Sequence, residues 1–210
     1  MSNAWSSYKA ALFAKMPFLK DTLNGCATLG KLMEAERAVG VSFPMQLKEL
    51  YLANNGDDGE ALCGMILGFH FLSLDELVSE VRHWSELAKD RGLSEEDSFT
   101  SKPEGCIKRQ YANAKWIPIC TDDGGNFIGV DLDPDVNGKR GQMINFGRDE
   151  HDKEVLADSL NAFFERLTRI VGSDHFFIGD FDGEDVIFLC VNSEEGAHLT
   201  DYLKKADSVK

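Results

Sequence analysis

The chain has 210 residues, 43% of them apolar, which is enough for a real core and too many for a disordered chain. Lysine and arginine number 22 against 36 aspartates and glutamates, a formal net charge of −14 that repels phosphate backbones, argues against nucleic-acid binding and steers the chain toward basic proteins. No run approaches the roughly 18 uninterrupted apolar residues of a membrane span, and the N-terminus shows no secretion signal, so a cytoplasmic protein without membrane attachment is expected.

Residues 5–19 read as a helix, with Trp5, Tyr8, Leu12 and Phe13 at helical spacing and Pro17 disturbing its end. Residues 28–39 form a second helix, stopped by Gly40. In the third, Ser42 is a candidate cap and Pro44 suits the first turn. Leu47, Leu50 and Tyr51 form its stripe, and Asn54-Asn55-Gly56 ends it. Residues 65–73, MILGFHFLS, are apolar and aromatic enough for a strand. Ser73 and Glu76 then make a capping box that opens an amphipathic helix running to Gly92. Residues 93–105 are polar with one proline and read as a loop or mobile insertion.

Strands dominate next, at residues 115–120, 126–132 and 142–147, linked by TDDGG and by DPDVNGKRG. The charged stretch GRDEHDKE, residues 147–154, reads as a solvated loop before a core helix at 158–171. That helix carries Leu160, Phe163, Phe164, Leu167 and Ile170 on one face. A hairpin follows, HFFIG and DVIFLCV around DFDGE, and EEGAHLTDYLKKA closes as a short helix. Strands joined by short links pair antiparallel, because a parallel crossover needs about a dozen residues. The expected fold is α+β: a mostly antiparallel twisted sheet flanked by N-terminal helices and a later core helix. Residues 1–172 make the main domain, and 173–210 a hairpin-plus-helix extension packed on it.

Chemistry is harder to find. DPDVNG starts like an EF-hand loop, with Asp133, Asp135 and Asn137 alternating before Gly138. The bidentate glutamate required at loop position twelve is replaced by Ile144, inside an apolar strand, so the stretch reads as a turn. Cys26, Cys63, Cys106, Cys120 and Cys190 are odd in number, widely spaced and without C-x-x-C, which argues against zinc and disulfides. The histidines are scattered, and no nucleophile elbow or phosphate-binding loop is present. No enzyme activity, cofactor or metal is expected.

Several segments, in order, resemble the SUKH superfamily, which includes the yeast Smi/Knr cell-wall synthesis regulators and many bacterial toxin-neutralising proteins. They are the helix FPMQLKELYLANNG with Pro44, Leu47, Tyr51, Asn55 and Gly56; WIPIC with Trp116 and Pro118; and DDGGNFIGVDLDP with Gly124, Gly125 and Asn126. GKRGQMINFG with Gly141, and the helix holding Ser159, Leu160 and Phe163-Phe164, complete the set. The resemblance spans residues 29–170 and implies an α+β, protein-binding, non-catalytic domain. The leading expectation is a bacterial immunity protein that covers a basic toxin, often a nuclease. The alternative is a scaffold of the cell-wall-regulator type, and a third is a small metal-dependent hydrolase using the acidic turns. Partner contacts are expected on those turns, at Asp122, Asp123, Asp131, Asp133, Asp135, Asp180, Asp182, Glu184 and Asp185. A monomer is compatible with this, as is a homodimer through an exposed sheet edge.

Overall fold

The computed structural model of the chain describes residues 3–89, 98–191 and 194–206. Helix α1 (Asn3–Lys15) buries Trp5, Tyr8 and Leu12 along one stripe and packs on α6 (Leu160–Val171). The rings of Trp5 and Tyr8 lie 4.8 and 5.6 Å from Phe164. Helix α1 ends before residue 19, because Pro17 cannot continue the hydrogen-bond ladder; a single turn, α2 (Leu19–Thr22), follows.

Helix α3 (Leu29–Val39) is capped by the Thr28 hydroxyl, which accepts from Lys31 N, and stops at Gly40 with φ 77°. Helix α4 (Met45–Ala53) starts after Pro44. Ser42 does not cap it: its hydroxyl donates to Glu36, whose carboxylate also accepts Phe43 N.

The strand expected at 65–73 shrinks to β1 (His70–Phe71). Positive φ at Gly64, Leu67 and Gly68 folds the rest into turns that bury Met65, Ile66 and Phe69 without a ladder. Apolar burial was read correctly here; the conformation that achieves it was not. Helix α5 (Leu74–Leu87) carries the expected capping box of Ser73 and Glu76. Its expected end at Gly92 lies outside the described residues, as do 93–97.

Within the stretch read as a loop, β2 (Thr100–Lys102) forms and pairs in parallel with β6 (Asp152–Ala157). The antiparallel expectation rested on short links. Here β3 (Trp116–Thr121), β4 (Asn126–Asp131) and β5 (Gln142–Gly147) intervene, so no short link constrains the pair. The sheet runs β1-β3-β4-β5-β6-β2 and is antiparallel elsewhere. Strand β6 also overturns the solvated-loop reading of 147–154. Lys153 is fully buried, with Nζ 4.7 Å from the Phe99 ring and donating to the Glu150 carbonyl; burial pulls its pKa down to about 8. Polar residues hid this strand: Asp152 and Glu154 accept from Thr100 and Lys102 of β2, and Lys153 lies over the rings of Phe99 and Trp116.

The central sheet is buried on both faces. Ile117, Ile128, Val130 and Met143 face the helices, while Trp116, Phe127, Ile144 and Phe146 pack with Leu72 and Trp84. A second sheet, β7 (Phe176–Phe181), β8 (Glu184–Val191) and β9 (Glu194–Ala197), precedes α7 (Leu199–Ala206). The last expected helix thus opens as a strand. Leu189, Leu199, Tyr202 and Leu203 join the helix-side core. Among the described residues, no helix is long and apolar enough to cross a membrane.

Candidate functional site: an acidic groove with an aromatic floor

The acidic turns separate into carboxylates that the fold uses and carboxylates that it leaves free. Asp131, expected at the surface, is 0% exposed: it accepts from Asp133 N and Gln142 Nε2, and burial raises its pKa to about 6. A strand-end residue between two buried ladders has no route to solvent, so this expected contact position is corrected. Asp133 is matched by Lys108 Nζ at 2.7 Å and Asn113 Nδ2 at 3.1 Å; although burial opposes it, Lys108 holds its carboxyl below the usual range. Asp135 accepts Val136 N, and its loop is tied down by Asp135 N to the Cys106 carbonyl and Asn137 N to the Gly105 carbonyl. Asp122 closes the β3–β4 turn by accepting Gly124 N, Asn126 N and Asn126 Nδ2. Among the described residues, no group of three His, Cys, Asp or Glu is arranged to hold a metal.

Asp123 differs. It stands exposed at φ 58° on the tip of that turn and faces α5 across a groove of about 650 Å³. Glu76, Glu80, His83 and Trp84 form the helical wall; the opposite rim holds Asp123, Gly125 and Arg148. The floor is aromatic: the Trp84 ring lies 5.4 Å from Tyr111 and 5.8 Å from Phe127.

At one end sits His70, enclosed by Asp57 at Nδ1 and Glu76 at Nε2, 3.3 Å away. The Asp57 hydrogen bond, against the pull of burial, raises its pKa to about 9, so the ring is a fixed cation at neutral pH. Asp57 also accepts Gly59 N, Met65 N and Phe71 N. With both ring nitrogens taken and the carboxylate fully used, this pair holds the 57–71 loop together and has no free position for acid–base work.

Glu80 and Asp123 form no ion pair among the described residues. Burial raises both pKa values; His83 opposes the rise at Glu80 and His70 at Asp123, while nearby carboxylates add to it: Glu76 for Glu80; Asp122, Asp57 and Glu76 for Asp123. Their negative charge is therefore costly in the empty groove, and a docked cation relieves that cost. An arginine or lysine stem would lie on the aromatic floor with its head between the two carboxylates. The sequence reading saw Glu76 only as a cap and missed Glu80 and Trp84. Their spacing at i, i+4 and i+8 places both carboxylates and the indole on one face of α5, a signal present in the sequence.

Asp180, Asp182, Glu184 and Asp185 lie exposed on the β7–β8 hairpin, on the other sheet. Of the residues that carried the family resemblance, Gly124 and Gly125 line the groove and the others serve the fold. Tyr51 donates its hydroxyl to the Leu72 carbonyl, Asn55 Oδ1 accepts Leu74 N, and Gly56 at φ 83° lets the chain pass Ser73. Leu47 and Trp116 are core, and Pro118 sits at a bulge in β3. Gly125 and Gly141 take φ 94° and 96°, Gly124 is in the same exposed turn as Asp123, and Asn126 bonds Asp122 and Asp149.

The family model described as SMI1 / KNR4 family (SUKH-1) matches residues 26–166. The chain is 30% identical over 201 residues to the "Cell wall assembly regulator SMI1" of Saccharomyces cerevisiae, covering 80% of this chain and 40% of that protein. It is 26% identical to the "Glucan synthesis regulatory protein" of Neurospora crassa, over 88% of this chain and 41% of the relative. With the "Cell wall biosynthesis/cell cycle regulator smi1" of Schizosaccharomyces pombe it shares 30% identity, over 65% of this chain and 29% of the relative. The chain thus spans less than half the length of these relatives.

Proposed function

This chain belongs to the SMI1/KNR4 family (SUKH-1), and from that premise we propose that it is a non-enzymatic, protein-binding regulatory module that seats a lysine or arginine of its partners in the acidic groove. The observation that carries this reading is the pair Glu80 and Asp123, two carboxylates in no ion pair among the described residues, facing one aromatic-floored groove. The relatives' names favour a cell-wall or glucan-synthesis regulator over the toxin-immunity role that the sequence led with. The hydrolase reading loses its chemistry, since the turns it relied on spend Asp122, Asp131 and Asp133 on backbone amides, asparagine or glutamine side chains and lysines.

Capture experiments with the purified chain and its E80Q/D123N variant test the proposal. The expected result is several partners of modest affinity, released by salt and lost in the variant. Retention of the same partners by the variant contradicts the groove. A single stoichiometric, very tight basic partner contradicts the regulator and restores immunity.

A further inference from the structure

We infer that the β7–β8 hairpin is a second docking surface, separate from the groove, which takes an extended, mainly apolar segment of a partner protein carrying a cationic side chain that meets Asp180 and Asp185, and adds it as a strand at the edge of β7. Strand β7 ends its sheet and is hydrogen-bonded to β8 alone, so on alternate residues its N–H and C=O groups point away from the sheet. The turn Asp182-Gly183, with φ 56° and 89°, keeps the two strands in tight register from Phe181↔Glu184 to Phe176↔Leu189.

The two faces of the hairpin differ. One is apolar and open: Phe177 is 48% exposed, Phe181 65% and Phe188 37%. The Phe188 ring covers Gly179, where a Cβ would come within 2.3 Å of it, so glycine is what lets these aromatics share a surface. Clustered aromatics at this exposure mark interaction surfaces. The other face packs into the core through Phe176, Ile187 and Leu189, and only at its turn end is it acidic, where Asp180 stands directly opposite Asp185. Like charges so placed destabilise a sheet, and among the described residues no lysine or arginine pairs with either. Asp182 adds an exposed carboxylate at the turn, and Glu184, opposite Phe181, brings one to the edge of the aromatic face.

A strand that fits this edge brings a cation beside Asp180 and Asp185 at the turn end and apolar side chains beside Phe177, Ile178 and Phe181. An extended chain docks on such an edge through main-chain hydrogen bonds, and its alternate side chains give the selection. A second copy of this chain fits poorly, because it carries the same hairpin carboxylates and a further net charge of −14.

The test is amide hydrogen exchange of the full chain with a synthetic valine-rich peptide carrying a single arginine. The expected result is new protection on alternate amides of β7, present also in E80Q/D123N. Binding should be about tenfold weaker in D180N/D185N, as for loss of close charge contacts. That variant should fold at least as stably as the parent, since it removes the cross-strand repulsion. Unchanged exchange in β7, or equal affinity for D180N/D185N, overturns the inference. So does concentration-dependent protection of β7 without peptide, which would make the occupant a second copy.

Discussion

His70 shows how one side chain can look catalytic and be structural. Its folded pKa of about 9 exceeds the ordinary histidine value of about 6.5. The stability it contributes is therefore fully present below about pH 6.5 and is lost as pH rises through about 9. The difference is on the order of 3 kcal/mol. Denaturant titrations across that window should show the loss in the parent and a flat profile in H70Q; a parent profile that is itself flat would refute the clamp. Gly56 makes a second claim at this scale. A Cβ there would meet Ser73 N at 2.5 Å at a φ of 83°, so G56A should cost about 2–4 kcal/mol, read as a fall in the denaturation midpoint.

Among the elements, α5 has the largest consequences, because it supplies one wall of the groove. Its start is fixed by the capping box, and S73A should cost about 1 kcal/mol and fray the turn that carries Glu76. Hydrogen exchange at Glu76 and Leu77 would report that fraying; unchanged exchange would show the box to be dispensable. Elements with a strong local signal were legible in the sequence: α3 with Thr28 and Gly40, α5 with its box, and β3 to β5 as apolar runs between glycine turns. Those set by tertiary context were not. β6 looks polar because Asp152 and Glu154 bond side chains of β2 while Lys153 is buried over aromatic rings, and β2 is three residues whose strand character comes only from pairing with β6. The site was legible to the same degree. Asp123 was named among the acidic turns, but nothing local told it apart from Asp131, since one is exposed and the other buried through contacts distant in sequence. Glu80 and Trp84 lay in a pattern that also suits a plain surface helix.

At the scale of the whole molecule, the net charge of −14 is spread over the surface, and the groove and the hairpin each hold a share of it. A molecule so arranged attracts basic partners at long range and selects among them by where a cation can be seated. The E80Q/D123N variant should be no less stable than the parent at neutral pH, because the two carboxyl pKa values are raised on folding and their ionisation above those values opposes the fold. Binding and stability are thus expected to move independently, which separates a lost contact from a damaged fold. The most direct measurement follows the Trp84 indole resonance while a peptide rich in lysine and arginine is added at low salt. The account predicts a saturable shift of Trp84, weakened by salt and abolished in E80Q/D123N, with the Trp5 resonance unmoved. A Trp84 resonance that stays still in the parent, or shifts equally in the variant, would contradict it.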